Sequence, residues 1–481
     1  MTLQEAASLR IVEGVSHGTR ALLDDTSSDG VPLSVVAGAA IIVLMSSRPA
    51  NSRGRPADAP DGLSLRPKVA SAPAADRSLS ETEQPPARPG GRRWDRWASL
   101  AALVLVSIGF GAISPALAGL LGEFGGGAAL GAVLVASLGA GRLVGGFPAG
   151  MVVERIGTGR VILAGTVTFL VGSLVAAAAP EFPFLALGRF VQGIGLGIVP
   201  AGVLAVMMAG EKAEKAGGAM ALYQFGLTAG GALGPAIGGP AAAVGGWRMS
   251  LLACAVAGVI AIALAVPLAR RSIERAPARK AVRGRLGWMG AGLVFLALVP
   301  HLVTFLYRMS YSQLALPLYA SGPAGFDPAV LGLLLGSQAI VAALMLGPAG
   351  WMTNRFGVRP VLAGSLVLAA TGVALTPILP APLGLWIAVS LFGAGLAVMG
   401  VASGLFIFTL GGYSTGMLVS IYRLSGDVMQ VLGPMVVGPV LEAVGFEWAF
   451  FGMAGCGVLA LLSLGIRGET HRDDASRGVE P

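Results

Sequence analysis

Residues 148–160 read PAGMVVERIGTGR, and residues 348–359 read PAGWMTNRFGVR. Pro148, Gly150, Arg155 and Gly157 recur as Pro348, Gly350, Arg355 and Gly357, each 200 positions later. A motif that returns at such an interval points to duplication of a large unit. Each copy closes one run of apolar residues and opens the next, which predicts a short charged loop between two membrane helices. Gly150 and Gly350 would allow close helix approach, and Gly157 and Gly357 the φ > 0 freedom of a tight reversal. Glu154 and Asn354 can satisfy backbone groups at a helix terminus, while Arg155, Arg160, Arg355 and Arg359 can hold carbonyls or a carboxylate on the water side. A single copy would read as an ordinary basic turn; two aligned copies argue for a shared function.

Composition points the same way. Charged residues make up 12% of the chain, about half the roughly 25% of a soluble domain. Hydrophobic residues reach 54%, with a mean hydropathy of +0.77. An all-α polytopic membrane protein follows. The net charge of +8 comes mostly from arginines in loops and tails, which fits membrane orientation rather than nucleic-acid binding. Cys254 and Cys456 lie in apolar segments, too few for a disulfide framework or a metal site, and are expected to be buried packing residues. No metal, no cofactor and no nucleic-acid partner is expected. The absence of a phosphate-binding loop or a Ser/His/Asp set, with only three histidines, argues against an enzyme.

Residues 1–95 form an N-terminal extension, rich in Pro, Ala, Ser and Arg from Ser46 to Arg93, that cannot bury enough apolar surface to order itself. Within it, residues 30–47 are uncharged and at the lower length limit for a span; insertion, an interfacial position and a downstream start site all stay open. Twelve apolar segments follow, each long enough to cross about 30 Å of hydrocarbon. They group into an N-terminal six-helix bundle (96–269), a central loop (270–287), a C-terminal six-helix bundle (288–466) and a tail (467–481). Connecting loops carry Arg155, Arg160, Arg270, Arg271, Arg355 and Arg359 on one side, with Arg248 alone on the other. That asymmetry places both ends of the core in the cytoplasm of a multi-pass plasma-membrane protein.

The pattern G-x-x-x-[acid or Asn]-R-x-G after the second and eighth segments resembles the signature loop of the major facilitator superfamily of secondary transporters. Such a resemblance implies two pseudo-symmetric six-helix bundles, a substrate site between them near the midplane, and access that alternates by rocking. In that family the loop braces the two halves in one conformation. This chain departs from the pattern with Glu154 for the usual aspartate, and with Thr158 and Gly159 where basic residues are common. Segment 4 holds RFVQGIGLG from Arg189, similar to a family stretch linked to proton coupling or substrate contact. Gly193 and Gly195 recur at Gly393 and Gly395, but Arg189 faces Val389. Arg189 either serves that role or snorkels to the interface.

Segment 5 carries Gly226, Gly230, Gly234 and Gly238, every fourth residue, so one face is bare and another backbone must pack there. With Pro235, GGALGPAIGG resembles a motif of proton-driven drug exporters in the superfamily; GFGAISPALAGLLGEFG in segment 1 resembles their first helix. The resemblance implies export of a small organic molecule, a drug or metabolite, by proton antiport. Uptake of a small polar or anionic solute by symport is the alternative, and a transporter-like sensor a distant one. Expected partners are the substrate, protons and lipid, with the chain as a monomer.

Family architecture places helices 1, 4, 7 and 10 around the cavity and 2, 5, 8 and 11 across the interface. Candidate pathway residues are therefore Arg189, Gln192, Tyr223, Gln224, His301, Tyr307, Gln338, Tyr422, Arg423, Asp427 and Gln430. The segments hold Arg142, Arg189, Arg308 and Arg423 but one well-embedded carboxylate, Asp427. That excess suits an anionic or zwitterionic substrate, unless the arginines bond carbonyls or reach the interfaces. Asp427 lies about ten residues, or about 15 Å, into segment 11, where an aspartate costs about 2.5–3.5 kcal/mol on insertion scales. Arg423, at i−4, shares its face. The two form either a standing ion pair or a proton switch in which desolvation and Arg423 oppose each other. His301 can be a proton carrier or a hydrogen-bonded helix residue.

Overall fold

The computed structural model describes residues 89–209, 213–271, 288–407 and 415–465. Residues 1–88 of the extension, with the 30–47 segment, most of the central loop and the tail lie outside the described residues, whereas 89–95, expected to belong to the unordered extension, are helical. Helix α1 runs over Pro89–Ser107 and resumes as Leu117–Glu123 after two 3-10 turns; α2 is Ala128–Ile156, α3 Thr158–Ala177 and α4 Phe182–Met208. The helical stretch Ala213–Arg270 is broken by non-helical Gly245 and Gly246, giving α5 (213–244) and α6 (247–270). Helix α7 begins as Trp288–Leu306, widens into a π-helix over Tyr307–Ala315 and ends as Leu316–Ser321. Then come α8 (Pro328–Phe356), α9 (Val358–Leu375) and α10 (Leu383–Phe406). Thr415–Leu459 is broken at Gly445, giving α11 (415–444) and α12 (446–459, continued by Ala460–Gly465). Among the described residues, ten apolar helical stretches, two of them double, make twelve spans in two pseudo-symmetric six-helix bundles. Helix α1 starts eight residues before the apolar run does at Trp97, because helical hydrogen bonding continues through the charged RRWDR sequence ahead of it.

The duplication extends to packing detail. Gly193 rests on Leu138 of α2 and Gly393 on Gln338 of α8; Gly195 rests on Phe169 of α3 and Gly395 on Ala369 of α9. Every one of those neighbours is again 200 apart. So are the breaks at Gly245 and Gly445, and the irregular middles of α1 (Ile108–Ala116) and α7 (Tyr307–Ala315) correspond to within one residue.

The repeated motif proves to be mostly helix. Residues Pro148–Ile156 complete α2, Pro348–Phe356 complete α8, and each reversal is confined to one glycine. Gly157 (φ 89°, ψ 153°) and Gly357 (φ 88°, ψ 161°) adopt a conformation that side chains exclude, so one residue can end a helix and start the next. Gly350 faces open space rather than a neighbouring helix. The surroundings of Gly150 and the side chain of Glu154 lie outside the description; Arg155, Arg160, Asn354 and Arg355 are exposed, and Arg359 is half-buried.

The glycine stripe of α5 lies along α1. Added Cβ atoms at Gly230, Gly234 and Gly238 would strike the carbonyls of Val104, Ile108 and Ala112, the Gly234 atom at 2.5 Å. Cys254 is buried as expected, but Cys456 is exposed, because its face of α12 points away from the protein.

Among the described residues, the halves touch at one end only. Near Glu123, Asp327 and Glu442, α5 meets α8 with Gly239 against Gly332, α2 meets α11 with Ala132 against Gly438, and Ser114 of α1 donates to Gln313 of α7. Toward the Gly157 and Gly357 turns the contacts stop. On α8, a Cβ added at Gly336 would still meet Ala236 at 3.3 Å, but Leu344 is 66% exposed and Cβ atoms at Gly347 and Gly350 would meet nothing. On α2, a Cβ added at Gly139 would meet the Gln430 carbonyl at 3.0 Å, while Phe147 is 77% exposed. A cleft thus opens between the bundles at the arginine-rich end.

Candidate functional site

The apex of that cleft is polar. Arg142 of α2 places its Nε 3.8 Å from Oδ1 of Asp427 on α11, and its Nη1 donates to Gln430 Oε1 at 3.3 Å. Gln430 Nε2 in turn donates to the same Asp427 Oδ1 at 3.0 Å. The three side chains close a ring across the two halves, at the last level where α2 and α11 still meet. Arg142 also lies over the Phe110 ring of α1, 5.4 Å from its centroid. Both charges keep a quarter or less of their surface open, 25% for Arg142 and 20% for Asp427.

This corrects the expected intrahelical pair. Asp427 pairs with Arg142, and Arg423, though one turn away, is exposed and makes no ion pair among the described residues. The reason is depth. Arg142 is 14 residues from the start of α2 and Asp427 is 15 from Glu442, so at 1.5 Å per residue both sit about 21–22 Å from the closed end. Arg423 stands beyond the level at which the halves part.

Further groups converge on the ring. Arg308, in the π-helical part of α7, is exposed to the cleft, within electrostatic range of Arg142 and Tyr422 and without an ion pair among the described residues. A π-helical turn shifts the side-chain register by one residue, which is how such turns re-aim groups at functional sites. Tyr223 of α5 is buried and within range of Arg423, Arg142 and Asp427. Tyr422 is half-buried and stacks on His301 at 3.5 Å, while His301 Nε2 bonds the Tyr422 carbonyl at 2.9 Å. His301 is thus a hydrogen-bonded, stacked helix residue, with Nδ1 unpartnered. Gln224 is exposed beside Tyr223.

Other candidates lie elsewhere. Arg189 is 2% exposed and does not snorkel: its Nη1 donates to Gly109 O at 3.1 Å and to Gln192 Oε1, and Gln192 Nε2 donates to Ser173 Oγ at 2.9 Å. Gly109 lies in the broken middle of α1, where carbonyls lose their helical partners, so Arg189 satisfies a group that no lipid could. Tyr307 is fully buried and donates to Met453 O at 3.2 Å within the second half, and Gln338 Nε2 donates to Ser312 Oγ at 3.0 Å. The ring's most important member outside the expected set is Arg142, noticed in the sequence only as unneutralised charge. Matching its depth on α2 to that of Asp427 on α11 was the signal that could have paired them.

Comparisons with known proteins follow this geometry. The family model described as Major Facilitator Superfamily matches residues 99–312 and 301–481. A relative in Mycobacterium tuberculosis (strain CDC 1551 / Oshkosh), "Multidrug resistance protein B homolog", is 31% identical over 34% of this chain and 28% of its own length. Another, "Methylenomycin A resistance protein" of Bacillus subtilis (strain 168), is 28% identical over 31% of this chain and 32% of that protein. Both matches thus span under a third of the relatives' lengths. Among solved structures, a D-xylose-proton symporter superposes with a TM-score of 0.63 at 16% identity, over 78% of this chain and 97% of that one, a likeness of fold.

Proposed function

Starting from the fact that this chain belongs to the Major Facilitator Superfamily, and so is a membrane transporter and not an enzyme, we propose that it exports a small organic molecule in exchange for protons. The arginine-rich end faces the cytoplasm, as the distribution of loop charges favours, and the cleft is the cytoplasmic entrance. The observation that carries the proposal is the Arg142–Asp427–Gln430 ring at the apex of the cleft. A carboxylate at that position can hold either a proton or a cationic part of the cargo. Arg142 reports the exchange to the other half, because any cation that takes Asp427 loosens a bond between the bundles. The resistance proteins to which parts of the chain are similar support export; the symporter shares the fold alone.

Inside-out vesicles with an imposed pH gradient and a panel of labelled compounds test this. Cargo-dependent proton flux with accumulation inside those vesicles is the expected result. Accumulation only in right-side-out vesicles would establish uptake and overturn it.

A further inference from the structure

We propose that the cargo is zwitterionic, with its anionic group held by Arg308 and its ammonium by Asp427; this rests on the proton-exchange reading above. Two complementary vacancies share the apex. Arg308 presents a cation to the cleft with no ion pair among the described residues, on the turn of α7 whose Leu306 and Ser310 pack against Gly433 of α11, three residues from Gln430, and within electrostatic range of Arg142. Arg142 already has Asp427 as its counter-charge, so Arg308 is the cation left unmatched at the apex among the described residues, and it favours an incoming carboxylate or similar group, which a guanidinium fork binds with two hydrogen bonds. Asp427 offers the opposite. Both of its described contacts fall on Oδ1, the Arg142 one at the long limit of an ion pair, and the side chain is 20% open. Its second oxygen is therefore available to an ammonium.

Coupling decides between a simple anion and a zwitterion. An anion alone would push Asp427 to take up a proton and so would travel with it. An ammonium at Asp427 excludes the proton, which exchange requires. A cation alone would leave Arg308 unmatched and would enter past Arg423, exposed at the wider part of the cleft. Phe110 and Tyr422, both half-buried beside the ring, give an apolar body a surface to lie on.

The test uses matched probes on the purified full chain, read by thermal shift at fixed pH. Phenylalanine and 4-(aminomethyl)benzoic acid are each compared with the methyl ester, which is a cation, and the N-acetyl derivative, which is an anion. In at least one set the zwitterion should bind roughly tenfold or more tightly than both derivatives, the ratio expected for one charged hydrogen bond. Arg308→Gln should abolish the advantage over the ester, and Asp427→Asn the advantage over the N-acetyl compound. Equal binding of either derivative, or no binding in both sets, overturns the assignment. Proton release on binding, followed with a pH dye, is read separately: a zwitterion bound without release keeps the cargo assignment and sinks the exchange reading. A simple cation bound with release does the reverse.

We infer independently that Glu442 is a latch on the closed end. Helix α2 begins after Gly127, which has no side chain to cap it, and its Ala129 N–H donates instead to Glu442 Oε1 of the other half at 2.8 Å. The symmetry mate of Gly127 is Asp327, which caps α8 from within its own half by accepting from Ala329 and Val330 at 2.8 and 3.0 Å. One half therefore caps itself and the other borrows its cap, so opening this end must uncap α2. A Ser114→Cys reporter in a Cys456→Ser background should react with a maleimide about fivefold faster when Glu442→Ala removes the cap, the ratio an ordinary cap sets. Gly127→Asp, which gives α2 its own cap and whose Cβ would take the place of the Glu442 carboxylate, should do the same, and Asp327→Ala should not. Unchanged reactivity in the first two variants, or an equal rise in the third, overturns the latch.

Discussion

If Arg142 and Asp427 join the two halves, removing either should cost the same interaction, and removing both should cost it once. At 3.8 Å a unit-charge pair is worth about 4 kcal/mol at an effective dielectric of about 20, and about 1 kcal/mol in bulk water. The pair is mostly covered but opens onto a cleft, so about 2 kcal/mol is the expectation. Asp427→Asn keeps the shape and an oxygen for Gln430, and Arg142→Gln removes the guanidinium along with its position over Phe110, a contact worth about 0.5–1 kcal/mol at exposed sites. Each single variant should destabilise the detergent-solubilised protein by about 2–3 kcal/mol, and the double variant should fall short of the sum by about 2 kcal/mol. Denaturant or thermal unfolding of all four proteins reads the cycle. Additivity within about 0.5 kcal/mol would mean that the two charges act separately, and the ring would lose its role.

Other substitutions test the frame that holds the ring. Gly234→Leu should destabilise by about 1–3 kcal/mol through overpacking against the Ile108 carbonyl, whereas Gly231→Ala, with nothing within 4 Å, should be close to neutral; equal melting temperatures would refute the α1–α5 contact. Gly157→Ala and Gly357→Ala should each cost about 1–3 kcal/mol, since both glycines hold a backbone conformation almost confined to glycine. Unaltered unfolding midpoints would contradict that geometry. Arg189→Ala should cost about 2 kcal/mol or more by leaving Gly109 O and Gln192 Oε1 unpaired, and a neutral outcome would restore an interfacial arginine.

The fold was legible in this sequence because its signals are local or periodic. Segment length marked the spans, and the offset of 200 tied one half to the other. The every-fourth glycines of α5 announced a backbone neighbour without naming it; α1 took that place. The site was less legible because it is made between helices. Asp427 and Arg423 are neighbours along one helix, and intrahelical spacing is what a sequence displays directly; the depth of Arg142 on another helix, which emerges only when segments are matched end to end, decided the pairing. Arg189 looked close to a membrane interface when counted along its segment. Its role depends on the break at Gly109, which a run of apolar residues does not reveal. Gly350, read as a packing residue, lies on the side of the cleft that stands open.

The most direct measurement compares two transport modes of one variant in reconstituted vesicles. Asp427→Asn should still exchange labelled for unlabelled cargo across the membrane when no pH gradient is applied, since Arg308 and the aromatic rings remain. It should lose accumulation driven by a pH gradient, because no group at the apex can then trade a proton for cargo. Gradient-driven accumulation at the wild-type rate in Asp427→Asn would contradict the account.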